Sequence, residues 1–243
     1  DIECCILKVA CSEHARITAE EGIQKRGGME YSAESPMQTA WRDTRIARIY
    51  EGTNEINRML SVGMLIKKAM KGQLDLIGPA TAVGEELLGI PDFAIPDFSE
   101  PLSQEKHILK NLKKVFLMIA GAGVQKYGTE LEEHQQLLLA VADILIEVYM
   151  AESAVLRAEK NIGVYGLEAQ EHQVALSQLY LYQAVEKIST KGREAILGFA
   201  EGDEQKALLM GLKRFTKYME YPNVIALRNK VAEKLTAENV YCF

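Results

Sequence analysis

Apolar residues recur three or four positions apart along almost the whole of this chain, and nowhere do they alternate with polar ones over a useful length. A helix turns once every 3.6 residues, so this spacing lays apolar side chains along one side, whereas a strand needs a period of two. The pattern admits helices and argues against a sheet. Ile108, Leu112, Val115, Ile119 and Ala122 make one stripe; Val174, Leu181, Val185 and Ile188 make another. Leu208, Leu212, Phe215 and Met219 make a third, and Pro222 separates it from Val224, Leu227, Val231 and Leu235. Such stripes bury against one another, which predicts an up-and-down helical bundle with short turns. A content of 48% hydrophobic but only 7% aromatic residues, with six prolines, agrees with an all-α chain.

Glycine and proline punctuate this pattern. Ile2, Ile6, Ala10 and the run from Glu13 to Ile17 read as helix from the very start, as in a piece cut from something longer. That helix is expected to run to about Arg26 and stop at Gly27-Gly28, where left-handed backbone is cheap. Pro36 suits the first turn of a short helix ending near Asp43. Thr53 is the natural N-cap of the next helix, which carries Ile56, Leu60, Met64 and Met70 along one side and ends at Gly72. Between Gly89 and Pro101, closely spaced prolines forbid a helix and predict an extended strap, held to a surface by Ile90, Phe93, Ile95 and Phe98. Thr129 and Glu132 have the spacing of a capping box opening a further helix. Three regions follow: 1–72, a linking strap at 73–102, and a helical bundle at 103–243.

Several chemistries are disfavoured. A net charge of −6 leaves no basic face for nucleic acid; the pairs Lys67-Lys68 and Lys113-Lys114 read as solvated helix surface. Cys4, Cys5, Cys11 and Cys242 match no metal-ligand spacing, and His14, His107, His134 and His172 are scattered, so no metal site is expected. Free thiols in a reducing compartment are the simpler reading. The apolar run Leu137 to Met150 is broken by Asp143 and Glu147 and is too short to span a bilayer, so it reads as a core helix.

The densest local signal is the stretch from Arg45 to Arg58, which places the carboxylate of Glu51 in a Tyr50-Glu51-Gly52-Thr53 turn two residues before a helix cap. A side chain there projects into open space beside backbone N–H groups that lack intrahelical partners. The position suits a base that must reach a bound substrate, and equally a helix-capping acid. Arg42 and Asp43, just upstream, read as a structural ion pair holding the turn.

Gln24, Gly27 and Gly28, then Pro36, Arg42-Asp43 and the Tyr50–Thr53 turn, occur in an order and spacing that resemble the C-terminal helical domain of acyl-CoA dehydrogenases over residues 1 to about 72. The bundle beyond the strap resembles the extra C-terminal helical region of the very-long-chain members. The resemblance implies that Glu51 removes the α-proton of an acyl-CoA thioester while the β-hydrogen leaves as hydride to FAD. The product is a trans-2-enoyl-CoA, as in fatty acid β-oxidation, and electrons then pass to an electron-transferring flavoprotein. It further implies that Tyr50 and Gly52 line the thioester pocket. Thr53, Asn54 and Glu55 touch FAD at a helix N-terminus, and Gln24, Gly27 and Gly28 touch FAD held mainly by the other subunit of a homodimer. Glu30 departs from the family, where a third glycine is common, and Glu55 leans toward long-chain types. A bacterial cytoplasm or a mitochondrial matrix suits such an enzyme, and residues 1–243 alone are expected to be inactive. The rival reading is a non-catalytic helical module for dimerisation, partner docking or membrane-surface contact; scattered charges of both signs weaken the membrane version.

Overall fold

The computed structural model describes residues 1–89 and 96–243. The described residues are helical and form no strand. They divide into two compact units, Asp1–Leu74 and Asp75–Phe243.

The first unit holds α1 (Ile2–Arg26), α2 (Gly28–Tyr31), α3 (Pro36–Ile46) and α4 (Asn54–Met70). α1 ends where expected, with Gly27 at φ 72°. Ser35 caps α3 through its Oγ, and Pro36 takes the first turn, but α3 runs on to Ile46 beyond the expected end near Asp43. α1 packs on both α3 and α4. Gly22 permits the first approach: a Cβ there would meet the Met37 sulfur at 2.8 Å. Toward α1, α4 turns Asn54, Asn57, Ser61, Val62 and Ala69. The apolar side named from the sequence points elsewhere, with Ile56, Leu60 and Met70 all exposed. A helix face is buried only where a neighbour covers it, and the neighbour here lies on the polar side.

The second unit comprises α5 (Ile77–Leu88), α6 (Ser103–Tyr127), α7 (Gln135–Tyr165), α8 (Glu171–Phe199), α9 (Gly202–Phe215) and α10 (Val224–Glu238). α7 and α8 are the long antiparallel pair, and α6 lies against both. The predicted stripes supply the core: Leu112, Val115, Ile119, Leu181, Val185, Ile188, Leu208, Leu212 and Phe215 are buried. So is most of the apolar run from Leu138 to Val148. Gly192 keeps this core tight, since a Cβ there would lie 2.8 Å from Leu212 and 3.2 Å from Ile119.

Four expectations need correction. The segment 73–102 is not only a linker, because α5 forms inside it and packs on α6 and α9. Glu86 of α5 accepts from Lys114 at 2.7 Å and Arg214 at 3.2 Å, pinning it there. Of the strap itself, Ile90, Phe93 and Ile95 lie outside the described residues, while Phe98 packs edge-on to His107 at 5.7 Å. Thr129 and Glu132 open no α-helix; they sit in a 3-10 turn, Gly128–Glu133, and α7 starts after His134 without a side-chain cap. Met219 falls beyond α9 and is exposed. α10 buries no residue fully and leans on α8, where Lys230 reaches Glu171 at 2.6 Å.

Candidate functional site

The turn joining α3 to α4 carries the strongest local constraint in the first unit. Thr53 caps α4, its Oγ1 accepting from the Ile56 N–H at 3.2 Å. Before it, Glu51 has φ 57° and Gly52 φ 80°. Left-handed backbone costs a non-glycine residue about 1–2 kcal/mol, so something must hold Glu51 there. The holding groups lie in α4 and α1. Asn57 Nδ2 donates to the carbonyls of Gly52 (2.8 Å) and Thr53 (3.1 Å), with Glu51 O at 3.4 Å. From α1, Lys8 Nζ donates to the Gly52 carbonyl at 2.7 Å and to Asn54 Oδ1 at 2.8 Å. Carbonyls and the following N–H groups point opposite ways across trans peptides, so the N–H groups of Gly52 and Thr53 face away from Asn57.

Gly52 has two reasons to be glycine. Its φ is positive, and a Cβ would crowd Asn57 Nδ2 at 3.0 Å.

Behind the turn sits a buried polar knot. Asn54, fully buried, donates to Ser12 Oγ at 3.0 Å and to Glu13 Oε1 at 3.2 Å. Glu13 in turn pairs with Arg58 at 3.0 Å and Arg48 at 3.7 Å. The buried Asn54 amide thus finds partners on both its oxygen and its nitrogen, which is the condition for burying it at all.

The Glu51 side chain stands outside this knot. It is exposed, and among the described residues its carboxylate has neither hydrogen bond nor ion pair. Tyr50 beside it is also exposed. Glu55 is turned onto the N-terminus of α4: its own backbone N–H first, then the Thr53 hydroxyl and the charges of Arg58 and Arg48, hold its carboxyl below the usual range. Gln24, Gly27 and Gly28 are exposed at the end of α1, and a Cβ on either glycine would meet nothing within 4 Å. Glu30, where the family often has glycine, ties the loop together by bonding Arg26 at 3.0 Å and Ser35 of the α3 cap.

Asn54 keeps its side chain inside the unit, bonded to Lys8, Ser12 and Glu13, and its backbone N–H bonds Arg48 O at 3.1 Å. One sequence reading changes here. Arg42 and Asp43 form no ion pair with each other among the described residues, since neighbouring positions on a helix project in different directions. The pairing that braces this corner is Glu13 with Arg48 and Arg58. Lys8, Ser12, Glu13 and Asn57 were not singled out from the sequence. The available signal was Lys8 and Ser12 one turn apart on the otherwise apolar inner side of α1.

The comparisons with known proteins bear on both units. Two family models, each described as "Acyl-CoA dehydrogenase, C-terminal domain", match residues 1–64 and 111–214, together more than half of the chain. The chain belongs to the acyl-CoA dehydrogenase family. A probable acyl-CoA dehydrogenase of Bacillus subtilis is 38% identical over 235 residues, 95% of this chain and 38% of that protein. The mitochondrial very-long-chain specific acyl-CoA dehydrogenase of rat is 26% identical over 234 residues, 90% of the chain and 35% of that protein. A crystal structure of an acyl-CoA dehydrogenase complexed with FAD from Bacillus anthracis superposes with a TM-score of 0.92 at 38% identity, covering 100% of this chain and 40% of that one. The chain thus spans well under half the length of these relatives.

Proposed function

We propose that this chain supplies the base-bearing, C-terminal part of an FAD-dependent acyl-CoA dehydrogenase, with Glu51 as the base that takes the α-proton of an acyl-CoA thioester. The observation that carries this reading is the unpaired, exposed Glu51 carboxylate on a strained turn that Asn57 and Lys8 anchor from behind. A side chain with no local partner, on backbone held against its own preference, is arranged for something that arrives from outside the unit.

The residues present fit the edge of a flavin nucleotide site. Thr53 caps the helix N-terminus that would face the nucleotide, Gln24 offers an exposed amide, and Gly27-Gly28 leave open space for close approach. Glu55, already on the helix N-terminus, suits the hydroxyls of a ribose and not a diphosphate. FAD, when bound, supplies the acceptor for the β-hydrogen and its electron pair. Glu51 takes the α-proton, and the product is a trans-2-enoyl thioester. Gly52 lets the thioester approach the backbone, and Tyr50 shields the thioester from water. An α C–H is a very weak acid, so the base also needs N–H groups aimed at the thioester oxygen and a dry site that strengthens a carboxylate.

Long-chain acyl-CoA is the substrate we infer. Likeness to the rat very-long-chain enzyme runs through both units, whereas the human short-chain specific enzyme matches only 65 residues, 27% of the chain. Homodimerisation, with Gln24 to Gly28 facing the partner's flavin, and electron transfer to an electron-transferring flavoprotein in a bacterial cytoplasm complete the reading. The 243 residues alone are expected not to hold FAD tightly and to be inactive, because a preorganised site needs all its walls.

The test is Glu51→Gln in a full-length enzyme carrying these residues, assayed by dye reduction across acyl-CoA lengths. Turnover is expected to fall by about 10³-fold or more with the flavin spectrum unchanged, the scale of a lost general base. Turnover near wild type with FAD bound would remove Glu51 from the mechanism.

A further inference from the structure

Away from the Glu51 turn, the second unit contains a cavity of about 320 Å³ where the start of α6, the middle of α8, the segment 216–223 and α10 come together. Its volume is many times the roughly 30 Å³ a water molecule occupies in the liquid. Two features of its lining are unusual. Glu105 is 93% buried, and the hydrogen bond it accepts comes from Gln178 Nε2 at 2.8 Å. Tyr218 is 96% buried, and among the described residues its hydroxyl has no hydrogen-bond partner. A buried carboxylate with one neutral donor, beside a buried hydroxyl with none, is an incomplete polar set, and such groups are costly unless something completes them.

The charge around the cavity decides the sign of what completes it. Glu105 sits in the first turn of α6 and brings one carboxylate to the lining. Glu220 adds a second carboxylate to the lining. Lys230 reaches the rim, but its ammonium is engaged by Glu171 at 2.6 Å. The rings of Tyr218 and Tyr221, 5.3 Å apart and tilted by 36°, present aromatic faces, and Leu181 and Leu227 give an apolar wall. Carboxylate and aromatic faces together attract a cation, and the wall accepts a short alkyl chain. The surroundings of Tyr218 agree: burial first, then the Glu105 charge, push its hydroxyl pKa upward, so it stays neutral with an oxygen lone pair free to accept from an ammonium N–H.

We propose that this cavity is a binding site for a small organic cation, an alkylammonium whose charged head meets Glu105 and the Tyr218 hydroxyl beside the paired tyrosine rings while its chain lies on Leu181 and Leu227. Gln104 steadies the mouth, donating to Glu220 O at 3.2 Å and accepting from Glu220 N at 3.1 Å. The proposal is independent of the Glu51 chemistry.

The test is calorimetric titration of the 243-residue chain with n-butylammonium chloride, n-butanol and sodium butyrate. Saturable binding of n-butylammonium is expected, about tenfold or more tighter than n-butanol, the scale of one charge-assisted hydrogen bond, with butyrate silent. Glu105→Gln keeps a polar neighbour for Gln178 and is expected to cost about tenfold or more in that affinity. Tyr218→Phe, which preserves the packed ring, is expected to cost a few-fold. Thermal melting separates ligation from structure: n-butylammonium should raise the Tm of the wild type and not of Glu105→Gln. No saturable heat with n-butylammonium, equal binding of n-butanol, or undiminished affinity in Glu105→Gln would each overturn the proposal.

Discussion

The two units solve the problem of holding helices together in opposite ways. In Asp75–Phe243 the helices meet through apolar side chains, with Leu112, Val115, Ile119, Ile144 and Ile188 removed from water. In Asp1–Leu74 the helices α1 and α4 bury polar Ser12, Asn54, Asn57 and Ser61 beside Val9, Ala10 and Val62, with Asn54 hydrogen-bonded across to Ser12, while Ile56, Leu60 and Met70 face out. Apolar packing is nondirectional and tolerant; a hydrogen-bonded centre is directional and fixes one backbone geometry. The unit with the weaker core is the one that positions the Tyr50–Thr53 turn. The larger apolar core and the anchored Glu51 turn thus lie in different regions of the chain.

Substitutions that separate these two modes give the clearest checks. The largest stability effect belongs to the second unit: Phe215→Ala removes a ring 2% exposed and should cost about 3–5 kcal/mol in urea unfolding followed by far-UV circular dichroism. The matching change in the first unit, Leu60→Ala, should stay within about 0.5 kcal/mol, because that side chain is half exposed. Trp41, the single tryptophan, lies on α3, so its fluorescence follows the first unit alone. If Leu60→Ala proves as costly as Phe215→Ala, the contrast between the units disappears.

Next comes Asn57→Ala, which strips three carbonyls of their shared donor. A loss of about 1 kcal/mol in the Trp41 transition is expected from the lost part-buried hydrogen bonds, since Lys8 still donates to Gly52 O and the Asn57 backbone N–H to Thr53 O. In a full-length enzyme the same change should lower kcat more than it raises KM, since a loosened Glu51 still permits substrate binding. An unchanged kcat would make Asn57 structural only.

The smallest effect is a pH dependence in the second unit. Burial first, then Lys114 and Lys110, lowers the pKa of His107 from its ordinary value near 6.5. The unfolded chain therefore binds its proton more readily, so this contribution to stability is full above pH 6.5 and is lost as pH falls through the folded value. Urea unfolding between pH 7 and 5 should show a shallower decline in His107→Gln than in the wild type; equal slopes would exclude His107 as the source.

What could be read from residue order was local. The stop of α1 at Gly27, the Ser35–Pro36 start of α3 and the Thr53 cap each depend on a few adjacent residues, and each stands in the structure. So do the long stripes of α6, α8 and α9, whose helices have neighbours enough to bury their apolar sides, whereas the stripe of α10 stays only partly covered. The orientation of α4 was not legible, because it depends on which face α1 covers. The support of the turn was hidden for the same reason: Lys8 and Asn54 are 46 positions apart. The Thr129–Glu132 pattern failed through competition, the chain closing a 3-10 turn there and starting α7 only at Gln135. Arg42 and Asp43 misled because adjacency in sequence is not adjacency on a helix surface.

The central claim is that Glu51 is the proton acceptor, and hydrogen exchange at the acyl-CoA α-carbon tests it most directly. A full-length enzyme with FAD bound, incubated with acyl-CoA in D₂O, should place deuterium at that carbon, and the Glu51→Gln form should do so at least about a hundredfold more slowly, the lower range for a lost general base. Exchange at an unchanged rate in Glu51→Gln would contradict the account and require another base.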